Sequence, residues 1–175
     1  MIDVTVLEVY PIGKAQVPSE FDADAVDAAI EALSALPAEL KQVVAGCTNL
    51  DQPIREGAWS IRALVHHIAD SHMNAYVRTK LALTEESPLI KTYDEVAWSQ
   101  LVDSAMPVEP SLELVDVLHQ RWVTLLRSLG RDEFERQWRA PGADARPAWR
   151  FPILYAWHGR HHVEQIRRAR EHFGI

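Results

Sequence analysis

The sequence predicts an all-α protein: a four-helix bundle with a long crossover between its second and third helices. Three observations lead there. Four stretches carry apolar residues at steps of three and four. No stretch alternates apolar and polar residues as a half-buried strand would. Residues 84–110 separate the middle two helices by more chain than antiparallel neighbours need. A chain of 175 residues suits one core, so 21–175 reads as a single domain behind an extended arm, 1–20.

The arm is broken by Pro11, Gly13 and Pro18. The first helix is expected from about Phe21 to Val44, with Val26, Ile30, Leu33, Leu36, Leu40 and Val43 on its buried stripe and Gly46 as its stop. Pro37 falls inside this pattern and is expected to kink or split the helix. The second helix begins after Ser60, a plausible N-cap, and extends to about Leu83; Ala63 stands where a capping box would place Glu or Gln. The crossover is punctuated by Pro88, Pro107 and Pro110, yet Tyr93 and Trp98 make it more apolar than a plain linker. The third helix, Ser111–Leu129, keeps a regular spacing through Val115, Leu118, Trp122 and Leu125 to Gly130. After the irregular stretch 139–147, the last helix runs from about Trp149 to His172, with Phe151, Leu154, Ile166, Ala169 and Phe173 near its buried stripe. The long crossover lets helices 2 and 3 run parallel and can set helices 2 and 4 side by side.

Composition excludes several classes of function. The balance of 18 basic and 25 acidic residues, a net −7, argues against a nucleic-acid or anionic-membrane surface. No apolar run approaches the roughly 18 residues that span a bilayer. No secretion signal is legible at the N-terminus, and the single cysteine, Cys47, permits no internal disulfide, so a cytoplasmic protein is expected.

Histidine is the unusual component: eight copies, six of them in two short windows. His158 and His162 are four residues apart on the last helix, hence about 40° apart around its axis and one turn along it. They share a stripe with Leu154, Gln165 and Ala169 and should point inward, where an i, i+4 pair can offer two nitrogens to one metal ion. His161 lies about 60° off that stripe. On helix 2, His66 lies about 160° from the buried arc and is expected to face solvent; His67 sits on its shoulder, about 100° away, and His72 nearer its centre. Periodicity does not choose between His67 and His72. An HxxxH spacing alone is a weak motif, and "HGRHH" lacks the glutamate of the zinc-protease signature. Gly159, inside the motif, removes bulk where another helix or a ligand must approach. His119 reads as an edge-of-core histidine, about 60° from Trp122. Arg78 and Arg160 read as solvated, and Trp59, Tyr76, Trp98, Trp122 and Trp157 as core aromatics.

At these residues the sequence resembles the DinB/YfiT-like family, and within it the YfiT group of metal-dependent hydrolases. The resemblance extends over nearly the whole chain, through "YPIGK", "REGAWSIRALVHHIADSHMNAYVRTKLALTEESPLIK", "LHQRWVTLLRSL" and "LYAWHGRHHVEQI". It implies a four-helix bundle holding one divalent ion per chain, zinc or nickel, on three histidines. The family's helix-2 ligand lies eight residues after the tryptophan of its W-S/T start, here Trp59, which gives His67. The helix-4 pair maps onto His158 and His162. The resemblance also implies a cytoplasmic homodimer. Ala63 and "GADARPAWRF" depart from the family pattern, at the rim of the pocket.

The function expected from these residues is hydrolysis of a small molecule by a water or hydroxide bound to the three-histidine ion. Asp70 or Asn74 would orient it, and Asp70 or Tyr155 would hold a ligand's outer nitrogen. An alternative is transfer of a low-molecular-weight thiol such as bacillithiol or mycothiol, since such an ion also binds thiolates. A second alternative is a non-catalytic metal or ligand-binding module; a fourth protein ligand, from His119 or the 93–98 loop, would favour it.

Overall fold

Asp22 opens the first helix. Its carboxylate accepts the Ala25 N–H at 3.1 Å, pairing one of the donors that a helix start leaves free. Helix α1 then runs Ala23–Val44. The computed structural model describes residues 9–175, so the first eight positions of the expected arm lie outside the described residues. Pro37 does not split α1, contrary to one of the two expectations. Leu33, Leu36 and Leu40 flank it on a single buried stripe, and that packing holds the two halves together.

Ser60 caps α2 (Ile61–Thr84) by accepting the Ala63 N–H. The crossover folds into a short helix α3 (Glu95–Ser99) and a 3-10 turn at Val102–Ala105. It delivers the chain to α4 (Glu109–Arg127), whose first turn holds Pro110. A four-residue α5 (Arg131–Phe134) follows. The irregular stretch is bracketed by a small antiparallel ribbon, β1 (Gln137–Trp138) with β2 (Arg146–Pro147), too short to show alternation in sequence. Helix α6 (Arg150–Phe173) ends at Gly174, whose φ of 67° is the left-handed stop a glycine adopts freely.

Side-chain pairs give the helix directions. His66 meets Ser111 and His72 meets His119, so α2 and α4 run parallel, as the long crossover predicts. His67 meets His162 and Arg78 meets Tyr155, so α6 runs antiparallel to α2. Lys41 pairs with Asp116 and Glu31 with Arg127, setting α1 against α4. Arg170 donates to the Val43 carbonyl and Gly159 lies on Leu36, so α1 and α6 are parallel. The bundle is a ring α1–α6–α2–α4, in which the consecutive helices α1 and α2 stand diagonally.

The core has two apolar halves. One contains Leu33, Trp122, Trp149 and Phe151, the other Leu36, Leu40, Ile68 and Ile166. Each of α1, α2, α4 and α6 changes from one half to the other at the level of the histidines, which form a polar layer between them. Residues 9–20 lie along α6 in the reverse direction: Arg168 donates to the Pro11 carbonyl, Trp157 to Gly13 and Arg150 to Pro18.

Three expectations about facing are corrected, and one of them is Phe173, expected near the buried stripe of the last helix but exposed at the end of α6. His66 is buried, because the 3-10 segment and the start of α4 cover that side of α2; its Nδ1 lies 2.8 Å from Ser111 Oγ and its Nε2 3.1 Å from the Met106 carbonyl. Leu154 is exposed, on the wall of a cleft and not in the core.

Gly159 marks a close approach of α1 and α6. A Cβ built there would stand 2.3 Å from Leu36 Cδ2 and 2.9 Å from Cδ1. The glycine therefore admits a helix. Gly159→Ala is expected to destabilise the fold by about 1–3 kcal/mol through overpacking, against the roughly 1 kcal/mol of added helix propensity. Urea denaturation measures the net loss, and Leu36→Val in the same chain should recover part of it.

Candidate metal centre

Helix α2 contributes His67 and His72 to the polar layer, α4 contributes His119, and α6 contributes His158 and His162. The structure brings His67, His158 and His162 to one point. His158 Nε2 lies 3.1 Å from His67 Nε2 and 3.2 Å from His162 Nε2. These three form a group of potential ligand atoms within 4.8 Å of one another. Trp59 packs on the His67 ring at 4.6 Å between centroids.

Burial keeps the rings neutral. Desolvation pushes the His67 imidazole down to about 4 and that of His162 to about 3, and neighbouring imidazoles add to the effect at His162. His72 and His158 are held well below the ordinary histidine range, by burial first and then by the surrounding rings. Three neutral imidazoles presenting nitrogen atoms to one point form the donor set that a borderline divalent ion takes.

Gln165, one turn beyond His162, orients it. The Gln165 amide nitrogen donates to the Val9 carbonyl at 3.1 Å, which turns its oxygen toward His162 Nδ1 at 2.8 Å. His162 therefore carries its proton on Nδ1 and presents a bare Nε2 to His158. Sequence spacing put Gln165 on the inward stripe, but nothing in it revealed the Val9 partner that directs the amide.

His72, the alternative that periodicity left open, stands behind the three. Its Nε2 faces His158 Nδ1 at 3.2 Å, and its Nδ1 faces His119 Nε2 at 2.9 Å. His119 is fully buried, not at the core edge, and its Nδ1 lies 2.6 Å from the Leu33 carbonyl. Both nitrogens of His119 are thus occupied away from the three-histidine point. His161 stacks on Trp157, outside the cluster.

Neither Asp70 nor Asn74 joins the converging group of potential ligand atoms. The Asn74 amide donates to the backbone carbonyl of Asp70. Burial raises the Asp70 carboxyl, and the charges of Asp103 and His66 act on it next, which places it toward the crossover. Tyr155 accepts a hydrogen bond from Arg78 at 3.0 Å, so Arg78 is engaged and not simply solvated; Arg160 is exposed. Tyr155 packs edge-on against His72.

A profile of the DinB superfamily matches residues 32–166, which include α2, α4 and all five of these histidines. The chain belongs to the DinB superfamily. Curated relatives carry the provisional name of metal-dependent hydrolase: one from Oceanobacillus iheyensis is 44% identical over 91% of this chain and 94% of its own length. Another, from Geobacillus kaustophilus, is 42% identical over 94% of this chain and 95% of its own. Among solved structures, YfiT from Bacillus subtilis, described as a probable metal-dependent hydrolase with an unusual four-helix bundle topology, superposes with a TM-score of 0.90. It shares 42% identity, over 94% of this chain and 97% of that one. In this DinB protein α1 and α2 stand diagonally in the ring of helices.

The neutral histidines give a signed pH dependence. Folded rings with depressed pKa values refuse protons that the unfolded chain accepts near its ordinary value of about 6.5. Stability of the metal-free protein is therefore expected to hold above about pH 7 and to fall steadily from there toward pH 4. Urea midpoints across that range measure it; a rise in stability on acidification would contradict neutral burial.

Proposed function

We propose that this DinB protein is a metal-dependent enzyme acting on a small molecule, with hydrolysis as its reaction. One observation carries this reading: three neutral imidazoles converge through Nε2 with no fourth protein ligand among the described residues. Structural zinc sites close their coordination with four protein ligands, and catalytic sites keep a position open. His67, His158 and His162 would hold the ion, zinc or nickel. When bound, such an ion supplies Lewis-acid activation of water at neutral pH and stabilises developing negative charge. The names carried by the relatives support the hydrolytic reading.

The chain's own residues shape what can enter. A cleft of about 230 Å³ beside His158 is lined by Ser71, Arg78, Tyr93, Glu95, Leu154 and Tyr155. A second hollow of about 240 Å³ borders Trp59, His162 and Gln165. Both are smaller than the roughly 300 Å³ at which drug-sized pockets begin, which favours a small substrate. Larger hollows, of about 410 and 680 Å³, lie away from the three-histidine point, between α1 and α4 and between the arm and α6. In the cleft, Arg78 makes no ion pair among the described residues. After donating to Tyr155 it retains donors for an oxygen-rich or anionic group, and Leu154 offers an apolar wall.

Thiol transfer is the second reading, and the all-nitrogen make-up of the converging group favours it. Among the described residues no carboxylate joins the three converging nitrogens as a built-in base for water, and Glu95 lines the cleft beside His158. A low-molecular-weight thiol needs no such base once it binds as a thiolate.

Metal analysis by mass spectrometry on tag-free protein tests the common premise. About one divalent ion per chain is expected, lost in the His158→Ala, His162→Ala double variant. A folded wild type that takes up neither zinc nor nickel would end the metalloenzyme reading. With metal bound, paired screens of small esters and amides, and of bacillithiol or mycothiol with an electrophile, separate the two reactions. Tyr155→Phe is expected to leave metal content unchanged and to lower kcat/KM on the substrate that emerges.

A further inference from the structure

We infer that Pro37, His119 and His72 form a directed chain of positioning residues that fixes which nitrogen of His158 faces the metal centre. The inference rests on the reading of His67, His158 and His162 as metal ligands.

Pro37 leaves α1 one donor short. Proline has no N–H, so the carbonyl four residues earlier in α1, that of Leu33, loses its helical partner. Leu33 is fully buried, where an unpaired carbonyl is costly. His119 supplies the partner across the α1–α4 interface, with Nδ1 at 2.6 Å. A carbonyl oxygen can only accept, so His119 carries its proton on Nδ1.

Every later step is forced by the one before. A neutral imidazole has one N–H, so His119 Nε2 is bare and accepts; His72 Nδ1, at 2.9 Å, donates to it. His72 Nε2 is then bare in turn, and His158 Nδ1, at 3.2 Å, donates to that. His158 Nε2 is left without a proton, facing His67 and His162. The opposite order fails. If His72 carried its proton on Nε2, two bare nitrogens would face each other at 2.9 Å in a dry core.

The arrangement parallels that at His162, where Gln165 relays the Val9 carbonyl. Both α6 rings are thus set by a backbone carbonyl, one through an amide and the other through two imidazoles. With both Nδ1 atoms donating outward, the two Nε2 lone pairs oppose each other at 3.2 Å with no proton between them. A cation there relieves that repulsion. Pro37, which reads as a helix fault in sequence, is on this account the origin of the directed chain.

Long-range ¹H–¹⁵N NMR on metal-free protein carrying ¹⁵N-histidine reads the protonated nitrogen of each ring. His119, His72 and His158 are all expected to carry the proton on Nδ1. An Nε2–H form at any of the three in the wild type overturns the inference, and this reading needs no variant to fold. His119→Phe is expected to leave His158 as a mixture of the two forms and to weaken zinc binding by about 10–100-fold in a competition titration with a chromophoric chelator. His119→Gln, with one donor and one acceptor, should restore part of that affinity. Pro37→Ala returns an N–H to the Leu33 carbonyl, so it should weaken zinc binding while keeping or raising the thermal midpoint, which a purely structural proline would not do. Unchanged zinc affinity in a folded Pro37→Ala removes proline from the chain. The NMR result stands apart from metal binding: Nδ1–H forms in a protein that takes up no metal would fail the metal reading and keep the directed chain.

Discussion

Five imidazoles set between two apolar halves of one core, four of them buried and His158 half-buried, impose the constraint on which the rest of this structure depends. An imidazole taken out of water must be neutral and must have its N–H donated. For His119, His72, His158 and His162 the protein satisfies both conditions by directing protons outward, toward carbonyls supplied by α1 and the N-terminal arm. What remains at the centre is a set of converging nitrogens. A core that accepts this layer gives up dispersion and apolar burial that leucine or phenylalanine would have supplied there.

The topology follows from the same constraint. The convergence needs α2 beside α6, and the directed chain needs α4 between α2 and α1. A simple up-down bundle with short loops would pair α1 with α2 directly and leave Leu33 without His119. The 85–108 crossover makes α2 and α4 parallel. It also seals the outer side of α2, where His66 bonds to Ser111 and the Met106 carbonyl. Gly159 then lets α1 and α6 close on each other at the level of the layer. The arm completes the enclosure by lying along α6 and offering Val9 to Gln165.

Much of this was legible in the sequence. The steps of three and four at Val26 through Val43 and at Val115 through Leu129 give the helices because a bundle helix has a single buried face. Proline and glycine mark where each run stops. The inward aim of His158 and His162 follows from their shared stripe. His66 was misplaced because helical periodicity sees one helix at a time, whereas burial there comes from a crossover segment with no periodicity of its own. His67 and His72 were inseparable for a related reason: both lie near the buried arc, and the difference between them is which neighbouring helix each ring meets. His119, Leu33 and Pro37 lie on separate helices or separate turns. Their connection is a hydrogen-bond path, and single-helix patterns carry no trace of it.

The position of a bound ion is decisive, and the anomalous-scattering crystal structure of the zinc-loaded protein measures it most directly. The expected result is one peak at about 2.0–2.1 Å from Nε2 of each of His67, His158 and His162, with no other protein ligand. An ion held through Nδ1, completed by a fourth side chain, or bound elsewhere would contradict it.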